Sequence, residues 1–222
     1  MTSTPTALVR PAPVLVRPAQ PGEAAHVAWL AALTFPLACP PGTPVATMAA
    51  HIAAHLTPAD FQAWATSDRH ALLVAVNGTV GGTIAGAAAG SDGAAESSAV
   101  EGVPTLLGYA LVAFGEPDGA EERAVLRAAA GEGPYAELSK IYVHPDALGG
   151  GVAAHLLDGA VAASARLAAA AGVSAPLWLG TNGENVRAQA FYRKHGFEVA
   201  GRRTYDVGGV QHDDVVMLHR PS

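Results

Sequence analysis

Three consecutive glycines at residues 149–151 separate a short strand-like segment from one of the longest helix-favouring stretches of the chain. The strand-like segment ends just before Pro145, and the helix-favouring stretch runs to Gly172. The first backbone N–H groups of a helix have no intrahelical acceptor, and the helix dipole favours an anion at that end. Because glycine lacks a Cβ, a phosphate can approach the backbone closely. The three glycines therefore indicate a phosphate-binding turn, with a loose strand-to-helix connection as the alternative.

Two familiar kinds of phosphate site do not fit this turn. A P-loop ends in Gly-Lys-Ser or Gly-Lys-Thr, and the turn has no such ending. A dinucleotide-binding fold uses glycines spaced as G-x-G-x-x-G, usually close to the N-terminus. Here the glycines are contiguous, lie late in the chain and follow the tripeptide His144-Pro145-Asp146. A protein that binds some other nucleotide stays open as an alternative at this point.

Composition limits the class of protein. The chain has 222 residues, of which 50% are hydrophobic, and this is enough for one sizeable core and one domain. The formal net charge of -6 leaves no strong basic footprint, so nucleic acid is not expected to be the main partner. The single cysteine, Cys39, excludes an internal disulfide framework and a cysteine-based zinc cluster.

The first residues and the hydropathy pattern predict no targeting segment and no membrane span. The opening "MTSTPTALVRPAPVLVRPAQ" is interrupted by prolines and lacks an apolar core of signal-peptide length. No stretch of about 20 residues is free of polar or charged groups, which a spanning helix would need. We therefore expect a soluble, cytoplasmic protein.

The order of the segments indicates a mixed α/β layer in which helices cover a central sheet. Residues 1–12 are expected to form a disordered lead-in, and residues 13–220 a single domain. Asn77 and Gly78 have the sequence of a hairpin turn between two strands. Polar, Gly-rich stretches near residues 88–104 and 115–134 are interpreted as insertions, the second with a helical turn in its middle.

The glycine turn and its flanks, "LSKIYVHPDALGGGVAAHLL", resemble the signature of the GNAT superfamily of acyl-CoA-dependent N-acetyltransferases. That family's pyrophosphate loop has the pattern Gln/Arg-x-x-Gly-x-Gly/Ala. Here the pattern falls on Leu148, Gly149, Gly150, Gly151, Val152 and Ala153. Leu148 departs from it, since Gln or Arg is usual at the first position. If backbone N–H groups carry the phosphate contact, we expect weaker affinity for coenzyme A (CoA) rather than loss of binding.

A second stretch, "NVRAQAFYRKHGFE", resembles the family's Asn-x-x-Ala-x-x-Phe/Leu-Tyr-x-x-x-Gly-Phe pattern. By that resemblance Asn185 would hydrogen-bond the pantetheine arm of CoA. Tyr192 would lie near the thioester sulfur and protonate the leaving thiolate. The alternative for Tyr192, an aromatic residue that only packs on the sheet, is weakened by Asn185 seven residues earlier on the same helix face.

The resemblance covers about residues 14–219 and is strongest over residues 136–197. It implies the GNAT fold, with a mixed central sheet of about six to seven strands flanked by about four helices. Within the superfamily, residues 177–218 are most similar to the PaiA-like polyamine acetyltransferases.

Acetyl transfer to an amine needs an oriented thioester, a base for the amine and an acid for the thiolate. The backbone of Ile141, Tyr142 and Val143 is placed to pair with the pantetheine arm like an added strand and to offer an N–H to the oxyanion. Strand alternation predicts that Glu137 and Ser139 share a face with Ile141 and Val143, so that the Glu137 carboxylate accepts the amine proton. A surface position at the start of a strand is the alternative for Glu137.

Other candidate site residues are supported by weaker sequence patterns. His51 and His55 have the spacing of metal ligands on a helix, but no third ligand accompanies them, and no metal site is expected. Asp213 and Asp214 are adjacent on a strand, so at most one of them faces a site.

The sequence therefore predicts an acetyl-CoA-dependent N-acetyltransferase that works by direct transfer in a ternary complex. The acceptor is expected to be a small amine, a polyamine first, with a protein N-terminal or lysine amine second. Two further hypotheses stay open, a non-catalytic acyl-CoA-binding module and a different nucleotide-binding protein. The protein is expected to be a monomer or a homodimer.

Overall fold

A computed structural model of the chain describes residues 13–39, 42–77, 105–207 and 210–220. The strands are β1 Val14–Pro18, β2 His70–Asn77, β3 Leu106–Gly115, β4 Tyr135–Val143, β5 Leu177–Asn182, β6 Phe197–Val207 and β7 Val210–His219. The α-helices are α1 Ala24–Ala38, α2 Val45–His55, α3 Pro58–Thr66, α4 Ala120–Ala130, α5 Val152–Ala170 and α6 Val186–Lys194. Short 3₁₀ turns lie at Pro21–Glu23 and Pro145–Ala147.

The strands form one mixed seven-stranded sheet in the order β1-β2-β3-β4-β5-β7-β6. Only the central pair, β4 with β5, is parallel, and the other neighbours are antiparallel. The expected mixed α/β class and strand number are confirmed. Within the described residues there are six α-helices rather than about four, because the N-terminal region holds three separate helices and α4 lies in a stretch that looked like an interruption.

Side chains alternate between two faces of the sheet, and each face has its own layer of helices. The α5 face is covered by α5 and α6, and its buried residues include Leu73, Ala110, Val112, Leu138, Leu179, Val215 and Met217. The α1 face is covered by α1, α3 and α4, and its buried residues include Leu72, Val74, Tyr109, Leu111, Tyr135, Trp178 and Val216. The two faces therefore present different side chains from the same strands.

Helix α5 is the central helix of its face. Val152, Leu156, Leu157 and Ala160 are among its buried residues, and they join the core formed with β2, β3 and β4. By length and composition alone this helix would be apolar enough to cross a membrane. Its packing on the sheet accounts for that composition, since a helix in the core of a mixed α/β layer needs an apolar face.

Within residues 115–134, where a helical turn was expected, the structure has a complete helix, α4. It runs for 11 residues and buries Leu126 against the α1 face. A Cβ on Gly201 of β6 would lie 2.7 Å from a methyl group of Val125, so glycine there permits close packing of helix on strand. Whether this segment is an insertion into the domain stays a prediction.

Several expectations lie outside the described residues. These are the lead-in over residues 1–12, the insertion near residues 88–104, and the second half of the hairpin that Asn77 was expected to open. β2 does end at Asn77, where the turn was expected to begin.

Candidate active site

The strands β4 and β5 pair over only two positions and then separate. Ala136 pairs with Leu177 and Glu137 with Trp178, whereas the rest of β4 pairs with β3 alone. Backbone groups of β4 that face β5 beyond Glu137 are therefore left outside the ladder. The result is a slot in the middle of the sheet, with an unpaired strand edge along one wall, which can accept an extended ligand like an added strand.

The glycine turn lies at the end of this slot, because β4 leads through the 3₁₀ turn Pro145–Ala147 directly into α5. Gly149 and Gly151 have φ angles of 83° and 78°, in the left-handed region that favours glycine. The first hydrogen bond of the helix is donated by His155 N–H to the Gly151 carbonyl, at 3.2 Å, and no side chain caps this end. The N–H groups of the first turn are thus available to an anion.

The side chain of Leu148 lies at the rim of this turn and is 59% exposed. It can give van der Waals contact but no hydrogen bond or charge to a phosphate. Binding of a phosphate there would therefore depend on backbone N–H groups and the helix dipole, as the sequence predicted.

Tyr192 lies on α6 and packs against the α5 face of the sheet. Its ring centroid is 5.7 Å from that of Phe197 and 5.4 Å from that of Phe191, which holds the phenol in one orientation. Burial raises the pKa of Tyr192 to about 12, so the hydroxyl keeps its proton at neutral pH. A protonated phenol can act as a general acid.

The structure gives Asn185 a structural role. It is the N-cap residue of α6, and its side-chain oxygen accepts a hydrogen bond from the Ala188 N–H at 3.0 Å. This cap holds the first turn of the helix that carries Tyr192. The exposed amide N–H₂ of Asn185 keeps its donors for the predicted contact with a pantetheine arm, and that contact stays a prediction.

A β-bulge in β4 overturns the predicted alternation of side chains. Leu111 of β3 pairs with Lys140 and Val112 with Leu138, so Ser139 is the extra residue. The bulge reverses the facing of every residue after it. Glu137 consequently shares the α1 face with Lys140 and Tyr142, and not with the side chains of Ile141 and Val143, which belong to the α5 face.

The Glu137 carboxyl is half-buried on the α1 face, beside the slot. Burial raises the pKa of Glu137 above its usual 4.5, while the positive charges of Arg203 and Lys140 act in the opposite direction. A carboxylate with a raised pKa is a better proton acceptor than an exposed one.

Arg203 is the centre of a buried charged cluster next to Glu137. Its guanidinium lies 3.4 Å from the Glu122 carboxylate and 3.6 Å from that of Asp214. It also lies over the rings of Trp178 and Tyr205, with its Cζ 5.5 and 4.9 Å from the two centroids. Asp214 is buried here and Asp213 is exposed, which confirms that only one of the two acids points inward.

Lys140 occupies the same face, between Glu137 and Tyr142. Its Nζ lies 4.9 Å from the centroid of the Trp64 ring and donates a hydrogen bond to Ser139 Oγ at 3.3 Å. Burial lowers the pKa of this ammonium group, and the nearby carboxyl groups counteract the shift.

Tyr142 and Tyr109 stack on this face, with ring centroids 5.5 Å apart. Burial raises the pKa of the Tyr142 phenol far above its usual value, followed by smaller electrostatic effects of Cys39, Tyr192 and Tyr205. The Tyr109 hydroxyl is buried without a hydrogen-bond partner among the described residues.

The two histidines with metal-ligand spacing are explained by packing. The His51 ring stacks on Phe35 at 4.5 Å, and the His55 ring lies 4.9 Å from it. No group of three or more His, Cys, Asp or Glu side chains suited to a metal ion occurs in the part of the chain that the structure describes.

The sequence interpretation missed Lys140, Arg203 and Glu122. Glu122 and Arg203 meet although they are 81 residues apart in the chain, so no local pattern connects them. The only signal for Lys140 was its position in the signature strand. The bulge decides on which face of the sheet its side chain lies, and the alternation of residues in the sequence does not reveal a bulge.

A surface cavity of about 430 Å³ lies elsewhere, between edge strand β1 and α5. Its charged lining residues include Arg17, which is paired with Glu23 at 2.6 Å, and Arg166. It is three strands away from the slot, and its lining does not include Glu137, Lys140, Tyr192 or Arg203.

Comparison with known proteins identifies the class. Residues 47–197 match the Acetyltransferase (GNAT) family. Uncharacterized N-acetyltransferases of Mycobacterium bovis and Mycobacterium tuberculosis are 33% identical to this chain over 196 residues, covering 88% of it and 96% of each relative. The chain therefore belongs to the GNAT acetyltransferase family and is an acyltransferase.

Solved structures share the fold. Arabidopsis thaliana NAA60, in complex with a bisubstrate analogue, aligns with a TM-score of 0.60 at 15% identity, over 93% of this chain and 97% of its own. The PaiA N-acetyltransferase of Thermoplasma acidophilum, in complex with coenzyme A, aligns with a TM-score of 0.59 at 14% identity, over 94% and 99%. At these identities the likeness concerns the fold alone.

Proposed function

We propose that this protein transfers an acetyl group from acetyl-CoA to a primary amine, directly and within a ternary complex. The observation that carries the proposal is the slot between β4 and β5, which ends at the uncapped N-terminus of α5. An extended chain with a pyrophosphate at one end fits these two features together. The complexes of NAA60 with acetyl-CoA and of PaiA with coenzyme A support this choice of donor.

In this proposal acetyl-CoA, the acetyl donor, binds on the α5 face of the sheet. The pyrophosphate would lie against the backbone of Gly149, Gly150, Gly151, Val152 and Ala153, with Leu148 at the rim of the site. The Gly150 N–H also donates to the Ala147 carbonyl, at 3.3 Å, and would have to share that hydrogen bond with the phosphate. The backbone of Ile141, Tyr142 and Val143 pairs with the pantetheine arm, and Asn185 adds a side-chain hydrogen bond.

Tyr192 donates its proton to the thiolate sulfur as the C–S bond breaks.

The amine, which is the acetyl acceptor, would bind on the α1 face. Glu137 accepts a proton from the amine, directly or through a water molecule, as the new N–C bond forms. The amine loses one proton to Glu137, and the thiolate gains one proton from Tyr192. The number of protons on the two substrates together is therefore unchanged by the reaction. In this proposal the acid, Tyr192, packs on the α5 face and the base, Glu137, lies on the α1 face beside the slot. Direct transfer requires that both groups reach the thioester there.

The acceptor was expected to be a polyamine first, as in PaiA-like enzymes, and a protein N-terminal or lysine amine second. The test is release of free CoA thiol from acetyl-CoA with spermidine, amino acids, aminoglycosides and short peptides as acceptors. Binding of CoA is measured separately by calorimetry. Turnover with at least one amine is the expected result. CoA binding without turnover of any amine would favour a binding module, and absence of CoA binding would overturn the proposal.

A further inference from the structure

Lys140 is a cation in an unusual place. β4 is the fourth of seven strands, and Lys140 lies opposite the buried Leu111 of β3. Its side chain is half-buried and lies under the helical layer of the α1 face, against Trp64 of α3. Lysine is rarely held in such a position without a partner, since loss of hydration is unfavourable for an ammonium group.

No carboxylate among the described residues forms an ion pair with Lys140. Its polar contacts are the Ser139 hydroxyl and the face of the Trp64 ring. The nearby Arg203 shows the contrast, because two carboxylates lie within 4.0 Å of its guanidinium.

The acids closest to Lys140 have other tasks. Asp60 accepts hydrogen bonds from the Thr57 N–H at 2.9 Å and the Thr57 hydroxyl at 2.7 Å, which cap α3. Glu137 is the candidate base, and its carboxylate must be free to receive the proton of the amine. Neither carboxylate forms an ion pair with Lys140 among the described residues, so their negative charges act on the ammonium group only from a longer distance.

The remaining ionisable groups around Lys140 are histidines of α2 and β2. Burial lowers the pKa of both His51 and His70, and the positive charge of Lys140 contributes to each shift. Both shifts favour the uncharged form of the rings. The two rings give polar surroundings to Lys140, together with the neighbouring His55, but no negative charge.

We propose that Lys140 binds an anionic group of the acceptor, so that the substrate is an amine carrying its own carboxylate, as an amino acid does. Glu137 and Lys140 are neighbours on one face of β4 and bracket the place where such a molecule would lie. Same-face neighbours on a strand are about 7 Å apart, which leaves room for an amine beside Glu137 and a carboxylate beside Lys140. This inference rests on the proposed acetyl transfer and names the class of its acceptor.

A polyamine fits this surface less well. It presents two or more positive charges, and one of them would approach the Lys140 ammonium. Like charges placed together are a common means of rejecting the wrong partner. The amino-acid class therefore replaces polyamines as the first acceptor to test.

The experiment compares amines with their carboxylated counterparts at equal concentrations of acetyl-CoA. The pairs are leucine with isoamylamine, phenylalanine with phenethylamine, and ornithine with putrescine. For the wild-type protein we expect kcat/KM to be roughly ten- to a hundredfold higher for the carboxylated member of at least one pair, as for a hydrogen bond between two charged groups.

Two variants of Lys140 and one control complete the design. Lys140→Gln should abolish the preference by lowering kcat/KM for the carboxylated member alone, and Lys140→Arg should restore most of it. Lys194→Gln, at the only other lysine of the chain and exposed on α6, should keep the wild-type preference. Circular dichroism checks that each variant is folded.

The outcomes separate this inference from the proposed function. Equal kcat/KM within every pair, a preference for the decarboxylated members, or an equal loss for both members in Lys140→Gln would overturn it and leave acetyl transfer intact. If no amine is turned over, the test of the anion site is binding of the same compounds to the complex with CoA, measured by calorimetry. Binding of a carboxylated member that Lys140→Gln loses would support the anion site, and no binding of any member would overturn it.

Discussion

The α5 face and the α1 face of the sheet use different parts of the polypeptide for their chemistry. On the α5 face the features available to a ligand are mainly backbone groups, the strand edge beyond Glu137 and the uncapped first turn of α5. On the α1 face they are charged side chains, with Glu137, Lys140 and Arg203 within one cluster. One face is thus suited to a constant donor and the other to an acceptor that differs between enzymes.

This contrast follows from what each group can recognise. Backbone N–H groups bind a phosphate or an amide chain whatever side chains surround them. Charged side chains select a ligand by the position of its charges, and each can be exchanged by a single mutation. A family that keeps one donor and changes its acceptor can therefore keep the first face and vary the second.

The largest effect is expected on the α5 face, from Tyr192→Phe. Loss of the proposed general acid should lower kcat by about a hundred- to a thousandfold, since positioned proton donors contribute effects of this order. The affinity for CoA should stay nearly unchanged. Because the pKa of Tyr192 is about 12, the wild-type rate should show no alkaline decline from this residue below that pH.

The matched control is Tyr135→Phe, which removes a hydroxyl bonded to the Gly131 carbonyl on the other face. It should leave kcat unaltered. A Tyr192→Phe enzyme with wild-type kcat would show that another group, such as Tyr142, protonates the thiolate.

Gly150→Glu should weaken CoA binding by about a hundredfold. A carboxylate a few ångströms from a pyrophosphate costs about 2–4 kcal/mol at the effective dielectric constant near a protein surface. Gly150 does not have a left-handed φ, and an added Cβ would meet only the Ala147 carbonyl oxygen, at 3.4 Å.

Gly150→Ala is the neutral control for this charge effect, and its affinity by calorimetry should stay within a fewfold of wild type. If both variants bind CoA as the wild type does, the pyrophosphate does not lie at this turn.

On the α1 face, Glu137→Gln should lower kcat/KM by roughly tenfold to a hundredfold, less than Tyr192→Phe because water can also accept the amine proton. Burial raises the pKa of Glu137 above 4.5, so the wild-type kcat/KM should fall on acidification at a higher pH than for an exposed Glu. A pH profile of the variant should lack this acidic limb.

The raised pKa of Glu137 also affects the free energy of unfolding. A raised folded-state pKa means that the carboxyl stabilises the fold when protonated, and this contribution is lost as pH rises through the folded-state pKa. Glu137→Gln should therefore be slightly more stable than wild type at pH 7 in urea unfolding. The exposed Glu198→Gln serves as control, and a Glu137→Gln variant that is less stable than both would contradict this account of its environment.

The smallest effect is expected from Gly180→Ala in β5. An added Cβ would lie 2.7 Å from the Arg203 Cζ, so the guanidinium must shift within its buried cluster. Such overpacking costs about 1–3 kcal/mol of unfolding free energy. Moving the Arg203 charge away from Glu137 should raise the Glu137 pKa further and shift the acidic limb of kcat/KM to higher pH.

Gly22→Ala is the control for Gly180→Ala, because an added Cβ there meets nothing within 4 Å. It should change the free energy of unfolding by less. If Gly180→Ala leaves both stability and the acidic limb unchanged, Arg203 does not influence the base.

Much of the α5 face could be predicted from the sequence. The strand, the glycine turn, the long helix and the α6 motif are local patterns, and β4, α5 and α6 lie where those patterns placed them. The mixed α/β class followed from the order of the segments, and the expected six to seven strands followed from the resemblance to the GNAT superfamily. Helix α4 was missed as a complete element because its polar, Gly-flanked sequence hides the burial of Leu126 by tertiary contacts.

The α1 face could not be predicted in the same way. The prediction that Glu137 shares a face with Ile141 and Val143 was wrong, because one extra residue at Ser139 reverses the alternation. The pairing of Arg203 with Glu122 joins residues that are far apart in the chain.

The sequence by itself thus determined most of the elements, their order and the family, because short-range patterns of glycine, proline and hydrophobic residues act on the backbone within a few residues. Only the tertiary structure decided which charged side chains meet beside the slot. Strand pairing, a bulge and burial act over the whole chain, and they alone set the facing of Glu137 and Lys140 and the electrostatic environment of both.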